Sequence, residues 1–504
     1  MNETPNNKPG WRRTRRILVG VACVATLIAV FYAEEDWRGK RAWDNYRREL
    51  EAKGEKLDWR AFVPPAVPDD QNFFTAPIFT NILNGKIVMN PWHSDGSPNV
   101  WPNVQPINDG VGYLGGEGKT RITDLETWQT GYRNPTNASL TKEFPVAPEP
   151  QTPAKDVLFA LSKFDSAVEE LRQASQRPYA SVPLNYEEGF GSASSLLPVL
   201  AELKRCTQLL QLRADAELAD GQSAKALADV KLLLYLNNSL RNSPFVISHL
   251  VRAAIVDYEL QPVWEGLAEH KWSDEQLIAL DVELGKLDFL ADYEITMRGE
   301  LAFAIASFEN QRRTQKMISY TGDGVVITNK LTFMPSAFFY QNELAFARMH
   351  QQFVLPLVDS TNRIVSLAAL RRSQAAEQVQ LKPYSPYTVQ AWRMFPAISA
   401  IVRKFATIQS SIDLARVACA LERYRLAHGE YPETLDALAP QFIETLPHDI
   451  INGQPLHYRR EANGQFVLYS VGWNETDDGG QIVLNKHGSV DREKGDWVWQ
   501  YPQK

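Results

Sequence analysis

The sequence predicts a mainly α-helical protein with three parts: an N-terminal transmembrane helix, a large helical domain of hairpin or solenoid-like character, and a small C-terminal α+β head. Three observations carry this expectation. An uncharged run over 17–33 follows a cluster of basic residues. Apolar side chains then recur at three- and four-residue steps through the middle of the chain, the spacing of one helix face. Near the end that period gives way to short apolar runs around Asn463-Gly464, a hairpin signal.

The first element is the apolar run. Lys8, Arg12, Arg13, Arg15 and Arg16 precede it and Glu34, Glu35 and Asp36 stop it. Its 17 residues reach about 26 Å as a helix, the short limit for a bilayer core of about 30 Å. Trp11 and Tyr32 suit the interfaces, and Arg15 and Arg16 can snorkel. Four arginines lie within five residues of the run and the first charges after it are acidic, so the N-terminus is expected inside and residues 1–16 form a cytoplasmic tail. A cleaved signal peptide is the rival. Phe31 stands where a small residue is wanted before a cut at Ala33, and that favours an uncleaved anchor. The Arg15-Arg16 pair also fits a twin-arginine signal, but marks the cytoplasmic side equally well.

Beyond the anchor, composition describes a folded protein, 44% hydrophobic and 22% charged, with a whole-chain charge of −7. The residues after 33 carry 48 basic against 59 acidic side chains, a net −11. So acidic a surface repels phosphate backbones and argues against nucleic acid as a partner. Of three cysteines, Cys23 lies in the apolar run, whereas Cys206 and Cys419 fall in helical patterns and are expected as buried free thiols.

Residues 34–150 divide into a charged, aromatic helix to about Arg60, ended by Pro64, Pro65 and Pro68, and a Pro-, Gly- and Trp-rich stretch with no sustained period. Residues 151–405 read as helices. Val157, Leu158, Leu161, Phe164, Val168 and Leu171 line one face of the first. A helix over 196–218 closes at Asp220-Gly221, and Ser223 is placed to cap the next, a hairpin of tetratricopeptide style. Further helices are expected over 245–269, 274–290, 292–317, 337–380 and 395–428, with a small hairpin or loop at Gly322-Asp323-Gly324. Residues 406–504 differ. An apolar stripe through Leu414, Val417, Leu421 and Tyr424 ends at His428-Gly429, a short helix follows Pro432, and strands are expected over 456–460 and 465–471.

From Ala420-Leu421-Glu422-Arg423-Tyr424 through His428-Gly429-Glu430-Tyr431-Pro432, and on through Leu435, Leu438, Leu446-Pro447, Asp449, Gly453, Leu456, Tyr458 and Tyr469-Ser470-Val471-Gly472, the chain resembles the C-terminal head of the major pseudopilin of type II secretion. The resemblance covers under a fifth of the chain. Pseudopilins carry a prepilin-peptidase site and a hydrophobic helix running straight into the head. This chain has neither that site nor that position, so filament assembly is not implied. The whole chain also resembles large bacterial membrane-anchored proteins that end in such a head, a likeness that implies no activity. The pseudopilin head often binds calcium after its last hairpin. By that resemblance Asn474, Asp477, Asp478 and Asp496 are the candidate ligands; an acidic solvated turn accounts for Asp477-Asp478-Gly479-Gly480 equally.

No catalytic motif is evident. Gly112 to Thr120 lacks the glycine spacing of a phosphate loop, since Tyr113 stands where the first glycine belongs. Gly189 to Ser194 has the glycines and serines of a nucleophile turn in the wrong order, and reads as a helix entry capped by Ser192 or Ser194. The eight histidines show no metal spacing; His249 and His350 read as packing or surface residues. The acidic pairs Glu169-Glu170 and Glu187-Glu188 point apart on a helix. The sequence therefore favours a non-catalytic scaffold or binding module anchored in the bacterial inner membrane, its bulk extracytoplasmic, meeting envelope proteins or polysaccharide. The alternative is an extracytoplasmic, hydrolase-like enzyme, or a carbohydrate binder using the Trp-rich region 90–140.

Overall fold

The computed structural model describes residues 9–79, 122–134, 144–188, 191–320, 326–330, 334–380, 385–394, 396–486 and 490–499. Most are helical, with small sheets concentrated toward the C-terminus. The chain divides into two units that interleave along the sequence. The first comprises Met1–Ala61, Leu301–Gln351 and Glu377–Pro396, and the second Phe62–Glu300, Gln352–Ala376 and Ala397–Lys504.

The first unit is organised by α1, Pro9–Ala52, a single unbroken helix about 66 Å long. It changes character along its length. Ile17, Leu18, Val21, Leu27, Val30 and Phe31 are exposed, whereas Glu35, Trp43 and Leu50 are buried. Among the described residues this is the one helix long and apolar enough to cross a membrane. The same helix is therefore greasy and bare at one end and packed at the other. Its packed end lies against the helix Ser336–Met349. Gly39 permits the approach, because a Cβ there would come within 3.3 Å of the Ala337 Cα. Asp36 accepts the Ala337 N–H at 2.6 Å and Glu35 accepts the Tyr387 hydroxyl at 3.0 Å. The strands Lys316–Tyr320 and Val326–Lys330 pair antiparallel as the expected hairpin, whose tip lies outside the described residues.

In the second unit, α2 (Leu125–Arg133), α3 (Pro153–Leu161) and α4 (Asp165–Ala174) lead to α5 (Gly191–Ala219), α6 (Ser223–Ser239) and α7 (Val246–Ala268). α5 packs on α3, α6 and α7, so it is the central helix of this layer. Gly221 makes the α5–α6 turn at φ +76°, as its glycine suggests. Two expectations are corrected here. Ser223 is the first residue of α6 and not its cap; its hydroxyl accepts from Gln276 instead. The stripe from Val157 to Leu171 is two helices, because a tighter 3₁₀ turn at Ser162–Phe164 interrupts it.

After α8 (Asp274–Leu284), capped by Ser273 and Gln276, comes Phe289–Thr314, which contributes residues to both units. The single helix expected over 337–380 is also corrected. The first stretch ends at Met349, and a π turn His350–Val354 and the short strands Val358–Asp359 and Ile364–Val365 precede Leu367–Gln380. Pro356, which has no N–H to continue a helix, sits in the break. The long helix Pro396–His428 then leads into the C-terminal residues.

Those residues form a three-stranded antiparallel sheet, order His457–Arg460, Phe466–Ser470, Trp497–Trp499, and a separate pair, Ile482–Leu484 with Val490–Gly495. Gly464 turns the first hairpin at φ +81° and Gly429 ends the long helix at φ +84°. Buried Asp449 ties the parts together, accepting from the Ile451 and Val471 amides at 2.9 Å and the Ser470 hydroxyl at 3.0 Å.

Candidate functional site

Two helices of the second unit carry the same local pattern on facing sides. Gln211 and Asp215 are four residues apart on α5, and Gln261 and Glu265 four apart on α7, so in each case the amide lies one turn from the acid. Gln211 donates to Asp215 at 2.9 Å and Gln261 donates to Glu265 at 2.7 Å. Thr123, two residues before α2, joins them. Its Oγ1 lies 2.8 Å from Asp215 Oδ2 and 2.7 Å from Glu265 Oε1, and its N–H donates to the same Glu265 oxygen at 2.8 Å. All three residues are buried. Burial, and then the charge of Glu265, push the Asp215 carboxyl well above the usual carboxylate range, against the opposing hydrogen bonds from Thr123 and Gln211. Burial raises Glu265 as well.

Thr123 also lines an open cleft of about 440 Å³. Asp124, Leu125, Glu126, Thr152, Pro153, Ala154, Ala219 and Asp220 form the rest of its described wall, so its charged described lining is acidic. Two helices start at this wall, each already capped: Asp124 accepts from Thr127 N–H at 3.0 Å, and Thr152 accepts from Lys155 N–H. A perturbed acid pair beside a cleft is the arrangement that marks candidate sites. Sequence reasoning missed it because the acids lie 50 residues apart. The available signal was a glutamine four residues before an acid within each of two strongly apolar helices.

A second buried network holds α6, α7 and the start of Phe289–Thr314 together. Arg252, fully buried, donates to Asp292 at 2.7 Å, to Asn237 O at 3.0 Å and to His249 Nδ1 at 3.0 Å, and its guanidinium lies 4.9 Å from the Phe289 ring centre. A guanidinium only donates, so Nδ1 must accept, which puts the histidine proton on Nε2, 2.8 Å from Ser243 O. Burial and then the Arg252 charge pull His249 down to about 4. Every part of this network faces inward, and its evident role is packing.

The calcium candidates are partly brought together. Asn474 donates to Asp478 at 2.7 Å, and Asp477 accepts the Tyr469 hydroxyl at 2.8 Å and the Gly479 N–H at 2.9 Å. Asp496 spends both oxygens on the Asp478 and Gly480 amides, at 3.4 and 2.7 Å. These carboxylates thus shape the turn at Asp477 to Gly480. Among the described residues no group of three or more His, Cys, Asp or Glu is placed to hold a metal ion.

Other sequence candidates resolve differently. His350 and His249 are packing residues, both buried. Cys206 and Cys419 are buried and free. Gly191 opens α5, while Gly189 and Phe190 lie outside the described residues, as do Gly112 to Thr120 and most of 90–140. Within that last region Trp128 is buried against Tyr132, so its face is not available to stack on a sugar. Comparison with family models, curated proteins and solved structures found no match.

Proposed function

We propose that this chain is a retained single-pass protein of the bacterial inner membrane, with its N-terminus inside and its folded bulk outside the cytoplasm. There it serves as a non-catalytic scaffold or binding module for envelope proteins or polymers. One observation carries the reading. α1 runs without a break from its exposed apolar half into a buried half that donates Glu35, Trp43 and Leu50 to the first unit. A segment built to be cut away has no need to continue as the core helix of the domain behind it, whereas an anchor gains a stiff connection that way. The acidic balance of the residues after 33 and the acidic lining of the Thr123 cleft suit partners that are neutral or cationic. The pseudopilin-like reading is proposed for 406–504 alone.

The test is fractionation of the full-length protein. Membranes washed in alkaline carbonate should keep the intact chain, with detergent required to release it. Recovery in the soluble fraction with a mass lacking the first 33 residues would defeat the proposal.

A further inference from the structure

We propose that Asp215, Thr123 and Glu265 hold a single shared proton and act as a pH-operated latch, pinning the Thr123 wall of the cleft to α5 and α7 and releasing it when that proton leaves. A hydroxyl carries one hydrogen and can donate once. Thr123 Oγ1 nevertheless sits at hydrogen-bond distance from two carboxyl oxygens, 2.8 Å from Asp215 and 2.7 Å from Glu265. One contact must therefore run the other way, from a protonated carboxyl to the hydroxyl. Glu265 Oε1 already collects two N–H groups, from Thr123 and Gln261, as an anion does, whereas Asp215 Oδ2 collects one, from Gln211. Asp215 Oδ1 is buried with no hydrogen-bond partner, which a neutral acid tolerates far better than a carboxylate. Asp215 is thus the acid, donating to Thr123, which donates to Glu265.

The described charged groups that act on the pair are acidic. Glu265 acts on Asp215, and Glu269, one turn beyond, acts on Glu265. Toward the cleft stand Asp124, Glu126 and Asp220. The arginines of the same helices are paired with other acids: Arg133 on α2 with Asp156, and Arg172 on α4 and Arg213 on α5 with Asp229. When the proton leaves, two buried anions share one hydroxyl hydrogen, with no cation among the described residues acting on either. The cheapest relief is for Thr123 to part from the helices and admit water, which moves the wall formed by Thr123, Asp124 and Glu126. In an extracytoplasmic setting, which rests on the proposed topology, that wall would follow the pH of the surroundings.

Hydrogen–deuterium exchange of residues 122–133 in the full-length protein in detergent tests the latch, with rates corrected for intrinsic base catalysis. Loss of one linked proton predicts protection that falls about tenfold per pH unit between the ordinary carboxylate range, near 4, and the raised titration point of the latched pair, and levels off above it. Protection at 466–470 should stay constant. D215N, whose amide can donate to Thr123 and cannot ionise, should show no such slope. Equal slopes in D215N and the unsubstituted protein, or flat protection in the latter up to about pH 10, would overturn the proposal. Should D215N fail to fold, E265Q carries the same expectation. The infrared band of a protonated carboxyl, taken as the difference between the unsubstituted protein and D215N, supplies an independent reading: it must vanish at the upper end of the pH range in which protection falls, and its absence at neutral pH or its persistence beyond that range would refute the latch.

Discussion

Replacing Asp292 by asparagine should strip the second unit of the anion that is ion-paired with Arg252. That guanidinium is fully buried, and Asp292, itself 2% exposed, accepts from it at 2.7 Å. Arg241 also donates to Asp292, at 2.8 Å, but is 38% exposed and contributes little. Breaking a buried pair by removing one partner costs about 3–5 kcal/mol, because an uncompensated charge stays behind. The Asn237 carbonyl and the Phe289 ring remain to share that charge, so the lower half of the range is expected. Urea unfolding of the full-length protein in detergent, followed by tryptophan fluorescence, measures the loss. Arg252→Met alone should cost a similar amount. Arg252→Met combined with Asp292→Leu should cost less than the sum of the single changes, by about 2 kcal/mol or more. A loss under about 1 kcal/mol for Asp292→Asn, or strict additivity of the two sites, would refute the reasoning.

Acid should weaken the second unit through His249, whose folded pKa is lowered to about 4. Its contribution is intact above the unfolded value near 6.5 and lost as pH falls through 4, up to about 3 kcal/mol in all. His249→Gln should flatten that part of a stability–pH profile; an unchanged profile counts against the buried neutral imidazole. Glu343, in the first unit, is raised to about 9 by burial and then by Glu309, and both its oxygens are buried without hydrogen-bond partners. Such a raised acid favours folding fully below about 4 and loses that contribution as pH rises through 9, so Glu343→Met should stabilise the protein at pH 7 by about 1–3 kcal/mol. Destabilisation in urea titrations would contradict this. Gly266→Ala places a Cβ into the Trp272 indole, which donates to Val263 O at 3.2 Å, and should cost about 1–3 kcal/mol with a shift in tryptophan emission.

Much of the helical pattern was legible because it depends on local spacing. The helix at Val246–Ala268 was expected over 245–269, the long helix at Pro396–His428 over 395–428, and the turns at Gly221, Gly429 and Gly464 were read from Asp220-Gly221, His428-Gly429 and Asn463-Gly464. What failed was local competition within a periodic stretch. Ser162–Phe164 breaks an otherwise regular stripe, and the π turn at His350 with Pro356 breaks another. Ser223 had the chemistry of a cap, but the helix began one residue early and Gln276 claimed the hydroxyl.

The candidate site was not legible for a different reason. Asp215 and Glu265 face each other only because α5 and α7 pack together, and Thr123 reaches them from a stretch with no periodic signal. Adjacent acids such as Glu169-Glu170 draw attention in a sequence, yet on a helix they diverge. Single acids inside apolar helices are the better signal, because burial makes an unpartnered acid costly. The paired glutamines one turn before Asp215 and Glu265 are the trace of that requirement.

The central claim is that α1 stays attached and holds the folded units outside the cytoplasm. A reporter enzyme that is active only beyond the inner membrane, fused after the last residue of the full-length chain, tests it most directly when read with the intact mass of the fusion. The account predicts an active reporter on a membrane-bound chain that retains residues 17–33. A reporter active only in the cytosol, or a soluble product lacking those residues, would contradict it.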